Sequence, residues 1–327
     1  MNLLTPLEVG TLLLHNRLVY PPMATAKADD NGLVTDEILN YYDEKTAGGY
    51  IGLIVTEHAF VNSKGKASER QLSIAEDRDI EGLKKIADII RKNGCKSVAQ
   101  ISHAGGKAKE EVIGGTPVAP SNSSFLDKGI HQLSEQEVAD VIKDFADGAS
   151  RAKKAGFDGV QIHSAHGYLL NQFFSPITNK RQDKYGGKLS NRIKIHLEVI
   201  KEVRKVVGED FHVQIRLGVS DFEEGGVDIE DSKFAAKEFE KAGVDVIDIS
   251  GGLNGYNIEG LTGQGFFAPL TEKIKQEVSV PVVLTGGITE VEAADRLLKE
   301  NKADLIGVGR AIYKDSKWAE HAITKLS

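Results

Sequence analysis

Residues His163–Arg192 read HSAHGYLLNQFFSPITNKRQDKYGGKLSNR. They follow Val160-Gln161-Ile162, a short apolar run that reads as a buried strand, and they end where a helical periodicity begins over Asn191–Val207. Between the two stand a pair of histidines three residues apart, then Tyr168, then a long polar loop. So much ordered, non-core sequence just past one strand is expected at the loop face of a parallel α/β protein, where such segments carry function.

Working outward, short β-rich apolar runs alternate with helical periodicities along the chain. The strands are read at Leu18–Tyr20, Ile51–Thr56, Ser97–Ile101, Gly159–Ile162, His212–Leu217, Val246–Ile249, Val280–Leu284 and Leu305–Val308. Helices are expected over Asp36–Thr46 (with Asp36 as N-cap), Ile80–Arg91, Glu135–Ala155, Asn191–Val207, Ile229–Ala242, Leu270–Glu277 and Val291–Glu300. Gly94, Gly156, Gly208 and Gly243 stand where helices should stop. Residues 3–15 alternate around Val9-Gly10-Thr11 and read as a hairpin plugging the bottom of a barrel. Eight alternating units without a linker predict one α/β domain over residues 1–327, a closed (β/α)8 barrel with long loops at its C-terminal face. An open dinucleotide-binding sheet would need Gly-x-Gly-x-x-Gly after an early strand. The nearest match, Gly307-x-Gly309, lacks the third glycine and lies near the C-terminus. The turn-rich segment Gly114–Gly129 is a long loop after the third strand, on the functional face.

Composition narrows the class. The chain has 327 residues, 40% hydrophobic and 27% charged, which is ordinary for a globular protein. A net charge of −7 and the lack of a basic run argue against a nucleic-acid partner. One cysteine, Cys95, excludes a disulfide framework or a cysteine-ligated cluster within this chain. No signal-peptide pattern or membrane-length apolar run is present, so a cytoplasmic protein without a membrane partner is expected.

In a barrel all strand ends meet at one mouth. The residues there are Met23-Ala24, Glu57-His58, Gln100, His163, Arg216, Ser250-Gly251, Gly286-Gly287 and Gly309-Arg310. Singly each has a plain structural explanation; together they bring donors and a glycine-rich backbone to one place. Glycines after strands seven and eight let backbone N–H groups approach a phosphate, and Arg310 adds a matching charge; the alternative is that they only make tight turns. His163 and His166 allow three readings. A metal pair lacks a clear third ligand and a zincin spacing. A purely structural pair is the second. The third is two N–H donors on one substrate oxygen, with Tyr168 able to supply a proton.

These residues also carry a resemblance. His163-x-Ala165-His166-Gly167-Tyr168-Leu169, then Ser175-Pro176, Asn179-x-Arg181-x-Asp183, Tyr185-Gly186-Gly187 and Asn191-Arg192, is similar to the Old Yellow Enzyme family of flavin-dependent ene-reductases. Asn16-Arg17, Pro22-Met23, Gln100 to Gly105, Pro117 to Ser121, Arg216, Gly286-Gly287 and Gly307 to Arg310 extend it in order over nearly the whole chain. The resemblance implies non-covalent FMN at the barrel mouth. Pro22, Met23 and Ala24 would lie along it, Gln100 at its pyrimidine side and Arg216 at its N1/O2 edge. Gly286, Gly287, Gly309 and Arg310 would hold its phosphate, and Glu57 at the second strand end is grouped with this cofactor-side set. His163 and His166 would bind the substrate oxygen and Tyr168 would be the proton donor; no metal is implied. The implied reaction takes hydride from NADH or NADPH and reduces the activated C=C bond of an α,β-unsaturated carbonyl or nitro compound by a ping-pong mechanism.

There are departures from the family pattern. Ala24 stands where Thr or Cys is usual, Ala26 where a bacterial subgroup has Tyr, and His58 where a small residue is common. The last residues, Thr324-Lys325-Leu326-Ser327, hold no arginine to lend a neighbouring subunit, so a homo-oligomer is left open. The competing readings are a 2,4-dienoyl-CoA reductase, whose iron–sulfur cluster one cysteine cannot hold, a phosphate-binding barrel lyase or isomerase without flavin, and a binding protein without turnover. A Schiff-base aldolase would need a lysine at a strand end, and none stands there.

Overall fold

The computed structural model describes residues 2–126 and 129–327. The expected loop Gly114–Gly129 is covered except for residues 127 and 128, which lie outside the described residues. Barrel strands one to eight are Leu18–Tyr20, Leu53–Val55, Lys96–Ser102, Gly159–Ser164, His212–Gly218, Val246–Ser250, Val282–Thr285 and Leu305–Gly307. Each pairs in parallel with its neighbours in sequence, strand eight closes on strand one, and strand two pairs directly with strand three. A short added strand, Ala59–Phe60, lies beside strand three. The hairpin is present as Leu7–Val9 paired with Leu12–Leu14.

Period-two alternation sets what the barrel interior contains. Val9, Leu12 and Leu14 of the hairpin pack with Val19, Leu53, Val55, Val98, Val246, Val283 and Leu305 in one small buried cluster. Full burial of each such side chain contributes roughly 1.5–3 kcal/mol. Two residues farther along, the same inward row carries Gln100 after Val98, Asp248 after Val246 and Thr285 after Val283. Parallel register then aligns these positions across strands. His163, Arg216 and Asp248 are partners in one row, and Gln100, Gln161 and Gln214 in the row below it. The interior therefore turns from apolar to polar toward the C-terminal mouth.

The outer helices follow from their patterns and caps. Glu135–Lys154 begins at a capping box in which Ser134 and Glu137 bond each other's backbone N–H. Asp228 accepts from Glu230 and Asp231 N–H to start Ile229–Lys241. Gly94, Gly156, Gly208 and Gly243 follow helices, and all four have positive φ. The helix Asp36–Thr46 is present, but its cap is Thr35, whose hydroxyl accepts from Ile38 N–H at 3.4 Å; Asp36 instead sits in the first turn, where an acid suits the helix dipole. The expected helix over Asn191–Val207 is divided into Leu189–Arg192 and Lys194–Val207. A second correction concerns the stretch past strand four. It is not all loop: Leu169–Phe174 is a helix whose six residues are all buried. Among the described residues, no helix is long and apolar enough to cross a membrane.

Candidate active site

At the C-terminal mouth lies a cavity of about 730 Å³. One wall is made of side chains: His58, His163, His166, Tyr168 and, at the rim, Tyr256. The opposite end is largely backbone: Gly286, Gly287, Gly307 and Gly309. Pro21, Pro22, Met23 and Ala24 form an apolar side after strand one. Among the described residues four cations line the space, Lys107, Arg216, Arg310 and Lys314, and no carboxylate does. Such a lining favours an anionic ligand.

The histidine wall is held rigidly. His166 has φ +58°, a left-handed backbone rare for a residue with a side chain. Its N–H donates to Gly251 O at 3.1 Å, and Lys107 Nζ donates to its carbonyl at 2.8 Å. Gly167 continues the turn at φ +70° and donates to Asn171 Oδ1 at 2.7 Å. The tight turn swings His166 back beside His163, with ring centroids 5.0 Å apart, and Tyr168 lies 4.9 Å from His163. Ser250 Oγ is 2.7 Å from His166 Nε2 and fixes that ring. His163 Nδ1 is enclosed without a protein hydrogen-bond partner, an orphaned polar atom on a residue that lines the cavity. Burial pushes both imidazoles well below the usual histidine range, helped at His163 by His166 and then Arg216, and at His166 by Arg216 and then Lys107, so both are neutral near pH 7. Burial pushes the Tyr168 phenol up to about 12, so it keeps its proton.

Beneath the mouth runs a buried polar chain. Gln100 Nε2 donates to Gln161 Oε1 at 2.7 Å, and Gln161 Nε2 donates to Asp248 Oδ2 at 3.1 Å. Asp248 Oδ2 is 3.5 Å from Arg216 Nε, which makes no hydrogen bond to protein. Burial pushes the Asp248 carboxyl up while Arg216 opposes that shift. At the backbone end, Gly287 has φ +67°, and an added Cβ would stand 2.3 Å from Gly263 O. A Cβ on Gly309 would meet Met23 Sδ at 3.1 Å. Gly287 can only be bare backbone, and a side chain at Gly309 requires Met23 to give way. A phosphorylated ring system with a polar edge fits this donor set: glycine N–H groups and Arg310 for the phosphate, Arg216 and Gln100 for the edge, Pro22 and Met23 for a face.

The structure thus brings His163, His166, Tyr168, Pro22, Met23, Ala24, Gln100, Arg216, Gly286, Gly287, Gly309 and Arg310 around one cavity. Glu57 does not line it. Strand two ends at Val55, so alternation no longer sets the direction of Glu57. Its carboxylate accepts from Thr25 Oγ1 at 2.7 Å, and burial pushes it up to about 7. Much of the motif after Tyr168 is scaffolding. Arg181 Nη1 donates to Pro120 O at 2.9 Å, Asn179 Nδ2 to Tyr185 O at 2.8 Å, and Arg192 Nε to Phe174 O at 2.8 Å. Asn16 likewise ties the barrel bottom, its Oδ1 accepting from Leu18 and Gly52 N–H. Sequence reasoning missed Lys107, Tyr256, Phe266 and Lys314 as cavity residues. Only Lys314 had a local signal, one helical turn beyond Arg310. Among the described residues, no group of three or more His, Cys, Asp or Glu side chains is placed to hold a metal ion.

Residues 2–327 match the sequence profile of the NADH:flavin oxidoreductase / NADH oxidase family. The chain is 38% identical to an NADH oxidase of Thermoanaerobacter brockii over 98% of its own length, but spans only 50% of that relative. It is 36% identical to an NADPH dehydrogenase of Listeria monocytogenes serotype 4b, covering 99% of this chain and 95% of the relative. Among solved structures, an old yellow enzyme homologue from Zymomonas mobilis superposes with a TM-score of 0.87 at 25% identity, over 100% of this chain and 94% of the other.

Proposed function

The chain belongs to the NADH:flavin oxidoreductase / NADH oxidase family, whose cofactor is FMN with NADH or NADPH as reductant, and on that premise we propose that it reduces activated C=C bonds of α,β-unsaturated carbonyl or nitro compounds. Nicotinamide and alkene occupy the cavity in turn, a ping-pong order. This reading takes residues 1–327 as one FMN-binding barrel domain acting in the cytoplasm. It displaces that of a phosphate-binding lyase or isomerase without flavin. Pro22, Met23, Ala24, Gln100, Arg216, Gly286, Gly287, Gly309 and Arg310 would hold the cofactor. When bound, FMN supplies the two-electron redox chemistry that no side chain of this chain can perform.

The observation that carries the reading is the neutral pair His163 and His166 beside a protonated Tyr168. Two neutral donors aimed at one oxygen polarise a carbonyl or nitro group. They stabilise the negative charge that develops on that oxygen without placing a fixed cation there. In the tautomer in which Ser250 Oγ donates to Nε2, the proton of His166 sits on Nδ1, free for a ligand. Tyr168 gives its proton to the carbon next to the polarised group, and the charge held at the histidines collapses. The enclosed wall keeps water from competing for the oxygen.

Two measurements test the proposal. Denatured holoprotein should release FMN, and not FAD. In stopped flow, the His163→Ala/His166→Ala variant should keep most of its rate of reduction by NAD(P)H, while its rate of alkene reduction falls about a hundredfold or more. An unchanged alkene half-reaction in that variant would defeat the assignment.

A further inference from the structure

His58 stands beside the donor wall but is not part of the histidine pair. Its ring is edge-on to Tyr168 at 5.6 Å and to His163 at 6.5 Å, and it lines the same cavity. Its protonation state is legible from its neighbours. Gln71 Nε2 lies 2.6 Å from His58 Nδ1 and 3.1 Å from the His58 carbonyl oxygen. The orientation of that amide is itself fixed, because Ala67 N–H donates to Gln71 Oε1 at 2.6 Å. An amide nitrogen only donates, so His58 Nδ1 must accept, and the ring proton sits on Nε2. Protonating Nδ1 would set two donors face to face. Burial acts in the same direction and pushes the imidazole down to about 4. Among the described residues Nε2 has no hydrogen-bond partner, so a neutral N–H donor is left open to the cavity.

We propose that His58 is a specificity-determining residue: its Nε2–H binds a second acceptor oxygen of the substrate, so the cavity prefers alkenes flanked by two acceptor groups to alkenes carrying one. The inference rests on the alkene-reductase reading above. The wall runs His58, Tyr168, His163, His166, with Tyr168 lying 5.6 Å from His58 and 4.9 Å from His163. A ligand with one oxygen at His163 and His166 reaches His58 only with a second acceptor oxygen on its far side. A maleimide has that form; a cyclic monoenone does not. A monoenone leaves the His58 donor unmatched in a partly dehydrated site, which adds to the discrimination.

The test uses FMN-loaded wild type, His58→Leu, which removes the donor, and His58→Gln, which restores an N–H donor. N-methylmaleimide and cyclopentenone are compared as substrates. Their unreactive counterparts, N-methylsuccinimide and cyclopentanone, are compared as ligands through the flavin absorbance shift. His58→Leu should lose roughly fivefold to tenfold in kcat/KM for the maleimide and a similar factor in succinimide affinity, but less than about twofold for the monoketones. His58→Gln should recover part of the loss. Equal losses for both classes, no loss for the imides, or no imide binding to wild type would overturn the inference. If wild type turns over neither alkene, the alkene-reductase reading fails by itself, while the ligand contrast still decides the role of His58.

Discussion

At the bottom of the barrel Val98, Val246 and Val283 pack against the hairpin; two residues farther along the same strands stand Gln100, Asp248 and Thr285. The two ends share backbone geometry, pairing and alternation, and differ only in what the inward positions carry. The bottom is a close-packed apolar plug whose work is stability. The mouth holds unmatched donors, a left-handed histidine and glycines without room for a side chain, features that cost stability and serve a ligand. A short polar step at each strand end thus separates the part that folds the barrel from the part that uses it.

Substitutions at the two ends should fail in different ways, and the largest effect is expected at the mouth. Gly287→Ala must place a methyl group 2.3 Å from Gly263 O at φ +67°. FMN affinity should fall by about a hundredfold or more, since backbone strain of 1–3 kcal/mol adds to the steric displacement. Ultrafiltration of the reconstituted protein reads this directly, and normal FMN retention would show that the backbone end is not the phosphate site. Leu53→Ala reverses the pattern. It opens a hole in the plug, where Leu53 is 1% exposed, and should cost about 2–5 kcal/mol of unfolding free energy with FMN affinity nearly intact. Paired denaturant melts and flavin titrations measure both; a large loss of affinity without a loss of stability would erase the division between the ends.

The smallest effect lies at the border between the two ends, where Glu57 is buried behind the mouth without facing the cavity. Burial pushes its carboxyl up to about 7, against the Thr25 hydrogen bonds that lower it. In the unfolded chain it titrates near pH 4.3. Between those values the folded protein keeps a proton that the unfolded chain has released. Its stabilising contribution is therefore full below that lower pH and is lost as pH rises through about 7. Glu57→Gln removes the titration. Its stability relative to wild type should rise by on the order of 2 kcal/mol between about pH 5 and about pH 8. A stability difference between the two proteins that stays flat with pH would mean that Glu57 titrates as an ordinary surface carboxylate.

Local pattern in the sequence encodes most of the barrel. Period-two and helical repeats of apolar residues placed the eight strands and the main helices. Closure of those strands then implied that Gln100, His163, Arg216 and the glycines after strands seven and eight would meet, because parallel strands share one C-terminal face. The remaining features depend on contacts between elements far apart in sequence. Strand two ends one turn of the alternation early, which sends Glu57 to Thr25 instead of the cavity. Lys107 joins the turns after strands four and six by donating to His166 O and Leu253 O. Ser250 sets the ring of His166, and Gln71 sets the proton of His58. Such pairings leave no trace in the periodicity of either partner, since a side-chain amide or hydroxyl reads as plain polar until the fold supplies the atom it must bond.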